Sequence, residues 1–309
     1  MKILFPLIFT FVFSSHFACA WDAVGHLIVG QTAYNNLTPE ARAAVDASIE
    51  SFNKKHGTDY TFVSSGCWMD DIRSETKKYN AWHYINLPYN PEAKPFPGRE
   101  ETNVLSGIRL CEAILRGERT HKEIDQDQAL VMLIHLIGDV HQPLHTTSHN
   151  NDAGGNKVWV RNMKDAILET FPRWRNLHYF WDCAYRRTLS DGVIVETIEA
   201  PVALIQDPPR GRQEVLPAIG KESDLYKEKY NSAEYPTDGN PKDWIIESHR
   251  TGILEAYKKL PGGESGRSVE LSEPYVINAR DITRQKLVQG GLRVAVFLNE
   301  LYSENSPSK

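Results

Sequence analysis

The chain has 309 residues, an apolar fraction of 41% and a formal net charge of −5. That length can bury a sizeable core, so neither a peptide nor a disordered linker fits. The acidic balance excludes attraction of a polyanion by a global basic field, so any such binding has to be local.

Residues 1–20 read as a targeting segment. Lys2 gives a positive start, Ile3 to Phe13 is an almost unbroken apolar run, and Ala18-Cys19-Ala20 is a small-x-small cleavage pattern. The run is too short to span a bilayer and no later stretch approaches about twenty apolar residues. Export to the medium or periplasm is therefore expected, without a membrane anchor. Cleavage after Ala20 makes Trp21 the first residue and leaves 289 residues (309 less 20). Three cysteines remain, Cys67, Cys111 and Cys183. An odd number argues against a disulfide framework, although one bridge is allowed.

Most periodic segments downstream read as helix. Residues 23–37 carry apolar side chains at helical spacing, and Thr38-Pro39-Glu40 supplies a cap and a first-position proline for a helix over 39–55. Further helices are predicted over 103–116, 126–140, 177–188, 244–260 and 281–301. Strand signals are confined to 157–161, which alternates, and 192–196, which is β-branched. Residues 86–101, with four prolines, read as loop, as does the polar stretch 150–156. Residues 206–242, with Pro208-Pro209 and Gly211, read as an irregular connection. The expected fold is mainly α, a single helical domain over 21–309 with a few short strands.

The strongest chemical signal is His135-Leu-Ile-Gly-Asp139-Val-His141-Gln-Pro-Leu-His145. On a helix His135 and Asp139 stand four apart and share a face, so both can reach one ion. Pro143 ends the helix and lets His145 turn back towards the same region. Ligand-type residues inside an otherwise apolar helix point to metal binding rather than to a solvated face. His178-Tyr-Phe-Trp-Asp182 repeats the spacing, and two such pairs suggest a polynuclear site between helices. Upstream, Trp21-to-His26, Trp68-Met-Asp70-Asp71-Ile-Arg73 and Trp82-His83-Tyr84 are further candidates, each individually compatible with ordinary packing or surface polarity.

Together, and in this order, these residues resemble the zinc-dependent single-strand-specific nucleases of the S-one/P-one type. The resemblance extends through Gly154-Gly-Asn156-Lys157, Asn176-Leu-His178, Gly290-Gly-Leu-Arg293 and Asn299, and so spans nearly all of 21–309. It implies a helical fold of the phospholipase C/P-one nuclease type and three Zn²⁺ ions. By the same resemblance Asp70, His83, His135 and Asp139 would hold one zinc. The Trp21 amino nitrogen and carbonyl, His26 and Asp139 would hold a second, with His145, His178 and Asp182 on the third.

The implied chemistry is hydrolysis of single-stranded DNA and RNA to 5′-phosphorylated products, with 3′-nucleotidase activity. Paired zinc ions would acidify a bridging water into the attacking hydroxide. Asp70 and Arg73 are the implied catalytic residues, Arg73 neutralising charge in the transition state. Tyr84, Asn86 and Asn156 are the implied substrate-binding residues, with Asn86 where relatives often carry an acid. A monomer is expected. Two alternatives share the metal set: a zinc-dependent phospholipase C and a non-catalytic secreted zinc-binding protein.

Overall fold

A computed structural model describes residues 21–90, 92, 102–164, 168–169, 172, 175–196, 214–230, 240–261 and 267–303. The targeting segment, most of the proline-rich loop after residue 90, and residues 206–213 and 231–239 of the irregular connection lie outside the described residues.

Helix α1 (Ala23–Asn35) is capped by Asp22, whose side chain accepts from the Gly25 N–H at 3.0 Å. Its residues 24–30 are all buried, as suits a helix that is apolar on every side. Helix α2 (Pro39–His56) starts on the Thr38 cap with its first-turn proline and stops at Gly57, whose φ of 65° is left-handed. Two short helices, α3 (Phe62–Ser65) and α4 (Trp68–Asp71), and a 3₁₀ turn at Asn80–His83 follow. Then come α5 (Val104–Leu115), α6 (Gln126–Val140) and α7 (Pro143–Thr146). The chain continues through α8 (Leu177–Cys183), α9 (Leu216–Lys229), α10 (Pro241–Thr251) and the long α11 (Glu273–Leu301).

Helix α6 is buried from Gln128 to Val140. It packs against α5, α2 and α11, while α1 packs against α11, α9 and α3. Close approach of α1 and α11 depends on Gly291, where a Cβ would lie 2.5 Å from the Thr32 Cβ and 2.7 Å from the Val29 carbonyl oxygen. Asn299 ties the α1–α2 corner to α11, accepting from the Thr38 N–H at 2.8 Å and donating to the Asn36 carbonyl at 2.9 Å.

The strands are minor. β1 (Leu87–Pro88) pairs in parallel with β2 (Thr147–Ser148), and β3 (Trp159–Val160) with the late strand β6 (Ser268–Val269). β4 (Arg187–Ser190) and β5 (Val193–Glu196) form an antiparallel hairpin. Its Asp191-Gly192 turn has φ of 49° and 76°, the left-handed pair that a two-residue hairpin loop favours.

Three sequence expectations are corrected. The helix predicted over 177–188 ends at Cys183, because the Asp191-Gly192 hairpin claims the chain from Arg187. Part of the connection predicted to be irregular is helix α9, whose first-turn Pro217 reads as a breaker. Its buried stripe runs Ile219, Ser223, Tyr226, and Ser223 is satisfied by the Thr32 hydroxyl at 2.8 Å, so a polar residue hides the apolar period. Helix α11 begins eight residues before the predicted 281, with Pro274 in its first turn and Tyr275, Val276 and Ala279 buried.

A paired substitution tests the packing account. Gly291→Ala should lose about 1–3 kcal/mol in urea unfolding, because its methyl meets backbone that cannot yield. Gly220→Ala, with nothing within 4 Å of its Cβ, should instead gain about 0.5–1 kcal/mol through helix propensity. Equal effects at the two positions would refute the close-approach explanation.

Candidate metal centre

Helix α6 delivers His135 and Asp139 to its C-terminal end, both fully buried and four residues apart. The Asp139 carboxylate divides its oxygens between two sets of imidazoles. Oδ2 lies 3.1 Å from His83 Nδ1 and 3.2 Å from His135 Nε2, whereas Oδ1 lies 3.4 Å from His26 Nε2. Asp70, at the end of α4, places Oδ2 3.8 Å from His26 and Oδ1 3.8 Å from His83. Asp70 thus groups with His26 and His135 as readily as with His83, and His135 is common to both groups. The His26 and His135 rings stack with centroids 4.1 Å apart.

A third cluster joins His145 of α7 with His178 and Asp182 of α8. The two rings stack at 5.0 Å, and His178 Nε2 stands 3.8 Å from Asp182 Oδ1. Helix α6 stops at Val140, and Pro143 opens α7 rather than merely ending α6. That turn brings His145 back to within 4.0 Å of Asp139.

Main-chain carbonyls orient three of the imidazoles. Nδ1–H of His135 donates to Gly66 at 2.6 Å, that of His145 to His83 at 2.5 Å, and that of His178 to Gly154 at 2.7 Å. Each bond fixes the tautomer and leaves Nε2 facing its cluster. The Gln142 side chain donates its amide to Asp182 while its Oε1 accepts from the Leu144 N–H and caps α7. Sequence reasoning missed these supports, since a carbonyl carries no residue signature; Gln142, beside Pro143, is the one with a local signal.

Burial decides the charge states. Burial, then the Arg73 guanidinium, holds His83 well below the usual imidazole range; burial, then His178, does the same to His145. Both are therefore neutral, the form that ligates a metal. Burial also holds Asp182 well above the carboxylate range and pushes Asp139 up to about 7. His135 is pulled down by burial, but the Asp139 and Asp70 carboxylates outweigh this and raise it to about 8. Among the described residues, His145 Nε2 and Asp182 Oδ2 are buried with no hydrogen-bond partner. Such orphaned atoms are costly unless something else satisfies them. Imidazole nitrogens and carboxylate oxygens satisfied in this way are the donor set of Zn²⁺.

The remaining predicted site residues fall around these clusters. Trp21 is fully buried; its indole N–H donates to the Gly138 carbonyl at 2.8 Å, next to Asp139. The Asp22 N–H donates to the Asp182 carbonyl at 3.4 Å, so Trp21 and Asp22 lie between the paired cluster and the third. Arg73 donates from Nη1 to Asp70 Oδ1 at 3.1 Å. Tyr84 follows His83 in extended backbone. Asn86, at φ 48°, puts its Oδ1 3.3 Å from the Cβ position of Gly154. Asn156 donates its amide to the Ala153 carbonyl inside its own loop. His141 is buried and bonded to the Ile137 carbonyl and to Arg293, supporting the end of α6. Cys67, Cys111 and Cys183 are buried, and no disulfide joins them among the described residues.

A helical scaffold that gathers buried histidines and aspartates into adjoining clusters defines a polynuclear metalloprotein. The S1/P1 Nuclease family profile matches residues 21–303, and the chain belongs to that family. Among curated proteins it is similar to Endonuclease 2 of Arabidopsis thaliana, 26% identical over 91% of this chain and 90% of that protein. It is also similar to Nuclease P1 of Penicillium citrinum, 25% identical over 91% of this chain and 98% of that one. Endonuclease 3 of Arabidopsis thaliana is 27% identical over 93% of this chain and 90% of its own length.

Metal uptake here must displace the protons that burial holds on Asp139 and Asp182 and the one that the Asp139 and Asp70 carboxylates hold on His135. Affinity for added zinc is therefore expected to rise with pH and to fall on acidification, by about tenfold per pH unit for each proton displaced. Titration calorimetry in two buffers of different protonation heat measures the release; uptake without proton release would contradict these charge states.

Proposed function

We propose that the chain, beginning at Trp21 after export to the medium or periplasm, is a monomeric, one-domain zinc endonuclease. It would hydrolyse single-stranded DNA and RNA to 5′-phosphorylated products and remove phosphate from 3′-nucleotides. The observation that carries this is the division of the Asp139 oxygens between His26 and the His83–His135 pair, beside an arginine tethered to Asp70. Family membership and the curated endonucleases it resembles support the same reading. No helix among the described residues is long and apolar enough to cross a membrane, which fits a protein without an anchor.

The proposed ligand sets are Asp70, His83, His135 and Asp139; the Trp21 amine and carbonyl, His26 and Asp139; and His145, His178 and Asp182. Bound zinc supplies positive charge for the phosphate and lowers the pKa of the attacking water. The chain's own residues do the rest. Arg73 presents a planar fork of N–H donors to phosphate oxygens, and its bond to Asp70 fixes the fork's direction. The carbonyl-anchored histidines keep their donor atoms in place without reorganisation. The ring of Tyr84 offers a face to an unpaired base, which a paired base in a duplex cannot use in the same way. Asn86, just before β1, and Asn156, in the glycine loop, are the further proposed substrate contacts. This placement also answers the acidic balance, because the attraction for a polyanion is supplied locally.

The purified protein should release acid-soluble nucleotide from single-stranded DNA and RNA, lose that activity in EDTA and regain it with zinc. Cleavage of phosphatidylcholine alone would move it to the phospholipase branch; turnover on neither, with zinc bound, would leave a non-catalytic binder. Arg73→Ala should lower kcat by about 10²–10³-fold with zinc content unchanged, the cost of removing one donor aimed at developing charge. Loss of metal along with rate would show that Arg73 only props Asp70. One extra residue before Trp21 should remove one of three zinc ions by elemental analysis, and retention of all three would rule out the amine as a ligand.

A further inference from the structure

The first residues of a folded chain are poorly ordered unless something ties them down. In the proposed mature chain that position falls to Trp21, and the residue after it is held through both its side chain and its backbone. Asp22 Oδ1 accepts from the Tyr185 hydroxyl at 2.6 Å and from the Gly25 N–H at 3.0 Å, while Oδ2 pairs with the Arg186 guanidinium. Asp22 and Arg186 are both buried, Arg186 completely. The Asp22 carbonyl accepts from the His26 N–H at 3.1 Å, and the Asp22 N–H reaches the Asp182 carbonyl at 3.4 Å.

A helix cap does not require this arrangement. Serine or asparagine caps a helix as well as aspartate does, without bringing an arginine into the core. A buried ion pair adds little net stability, because desolvation takes back most of the attraction; its best-attested use is to fix one arrangement among several. What it fixes here follows from its neighbours. Arg186 lies in the 3₁₀ turn Ala184–Arg186, directly after α8 with His178 and Asp182, and its second bond, to Glu196, anchors it to β5. The Asp22 N–H shares a planar trans peptide with the Trp21 carbonyl, so the direction of one sets that of the other. The Trp21 indole is held separately, by the Gly138 carbonyl.

We infer that Asp22 and Arg186 form a clamp that aims the Trp21 amine and carbonyl at one metal ion, and are positioning residues for that ion. The inference rests on the proposed ligand role of Trp21 and assigns what holds that ligand in place. A ligand at a chain end must otherwise be ordered as the metal binds, which lowers affinity. The clamp orders it beforehand, from α8 and the β4–β5 hairpin. Partners that orient metal ligands from behind change metal affinity by about 10–100-fold when they are removed.

The test uses the full chain beginning at Trp21, as wild type, as Asp22→Ser, and as the double variant Asp22→Ser with Arg186→Met. Serine keeps a capping oxygen. In the double variant no charge is stranded, since Glu196 still has Arg187 at 3.3 Å. Zinc affinities are read by competition with a chelator, zinc per chain by elemental analysis, and stability by urea unfolding of the metal-free protein. In both variants one site of three should bind zinc about 10–100-fold more weakly while the other two stay as in the wild type. The double variant should unfold at the wild-type urea concentration. Wild-type affinity at all three sites overturns the clamp. So does a loss shared by all three sites, or recovery in the double variant, because the pair would then only support the fold. A chain with one extra residue before Trp21 separates the clamp from the ligand reading. If that chain keeps three tight sites, Trp21 is no ligand and the clamp falls with it; if it loses one while the clamp variants lose none, the clamp alone falls.

Discussion

The structure turns on a carboxylate placed where none is affordable alone. Asp139 is fully buried in a helix that is itself buried on every side, and burial drives its pKa to about 7. A buried charge is tolerated only if paired or metal-bound. Three histidines from three segments converge on it; His135, raised to about 8, supplies positive charge, and the side chains together offer a donor set that suits a divalent cation. The path of α1, the 3₁₀ turn at Asn80–His83 and the reversal into α7 all serve that convergence.

Small residues make the convergence possible. Gly138 lets His26 approach α6, because a Cβ there would sit 3.2 Å from the imidazole Nδ1. The same residue's carbonyl takes the Trp21 indole, so one position admits two neighbours of the centre. At the start of α1, Asp22 caps the helix and also holds the buried Arg186 and the Tyr185 hydroxyl, which pins the segment carrying Trp21 and His26. Arg186 reaches on to Glu196 in the β4–β5 hairpin, so the late hairpin steadies the first residues of the described chain.

Much of the centre was legible in the sequence. His135 with Asp139, and His178 with Asp182, declare themselves because a four-residue spacing on a helix converts directly into a shared face. Helix α6 was readable end to end for the same reason. Helix α9 was not, since its stripe contains Ser223 satisfied by Thr32, a tertiary bond that no local pattern shows. Nor could spacing reveal that Asp70 stands between His26 and His83, which depends on how α4 meets α6. The loop over 147–156 was least legible, because its shape comes from left-handed asparagines held by Asp152 and Tyr257, far apart in sequence.

Three of the clustered imidazoles are oriented by the carbonyls of Gly66, His83 and Gly154 and not by any acidic side chain. A carboxylate partner can be deleted by one codon change, whereas a carbonyl belongs to every amino acid. The tautomers of this centre are thus inherited with the path of the main chain. Mutational drift at those three positions can move the centre only by moving the backbone, and ligand geometry becomes a direct readout of whether the chain has folded.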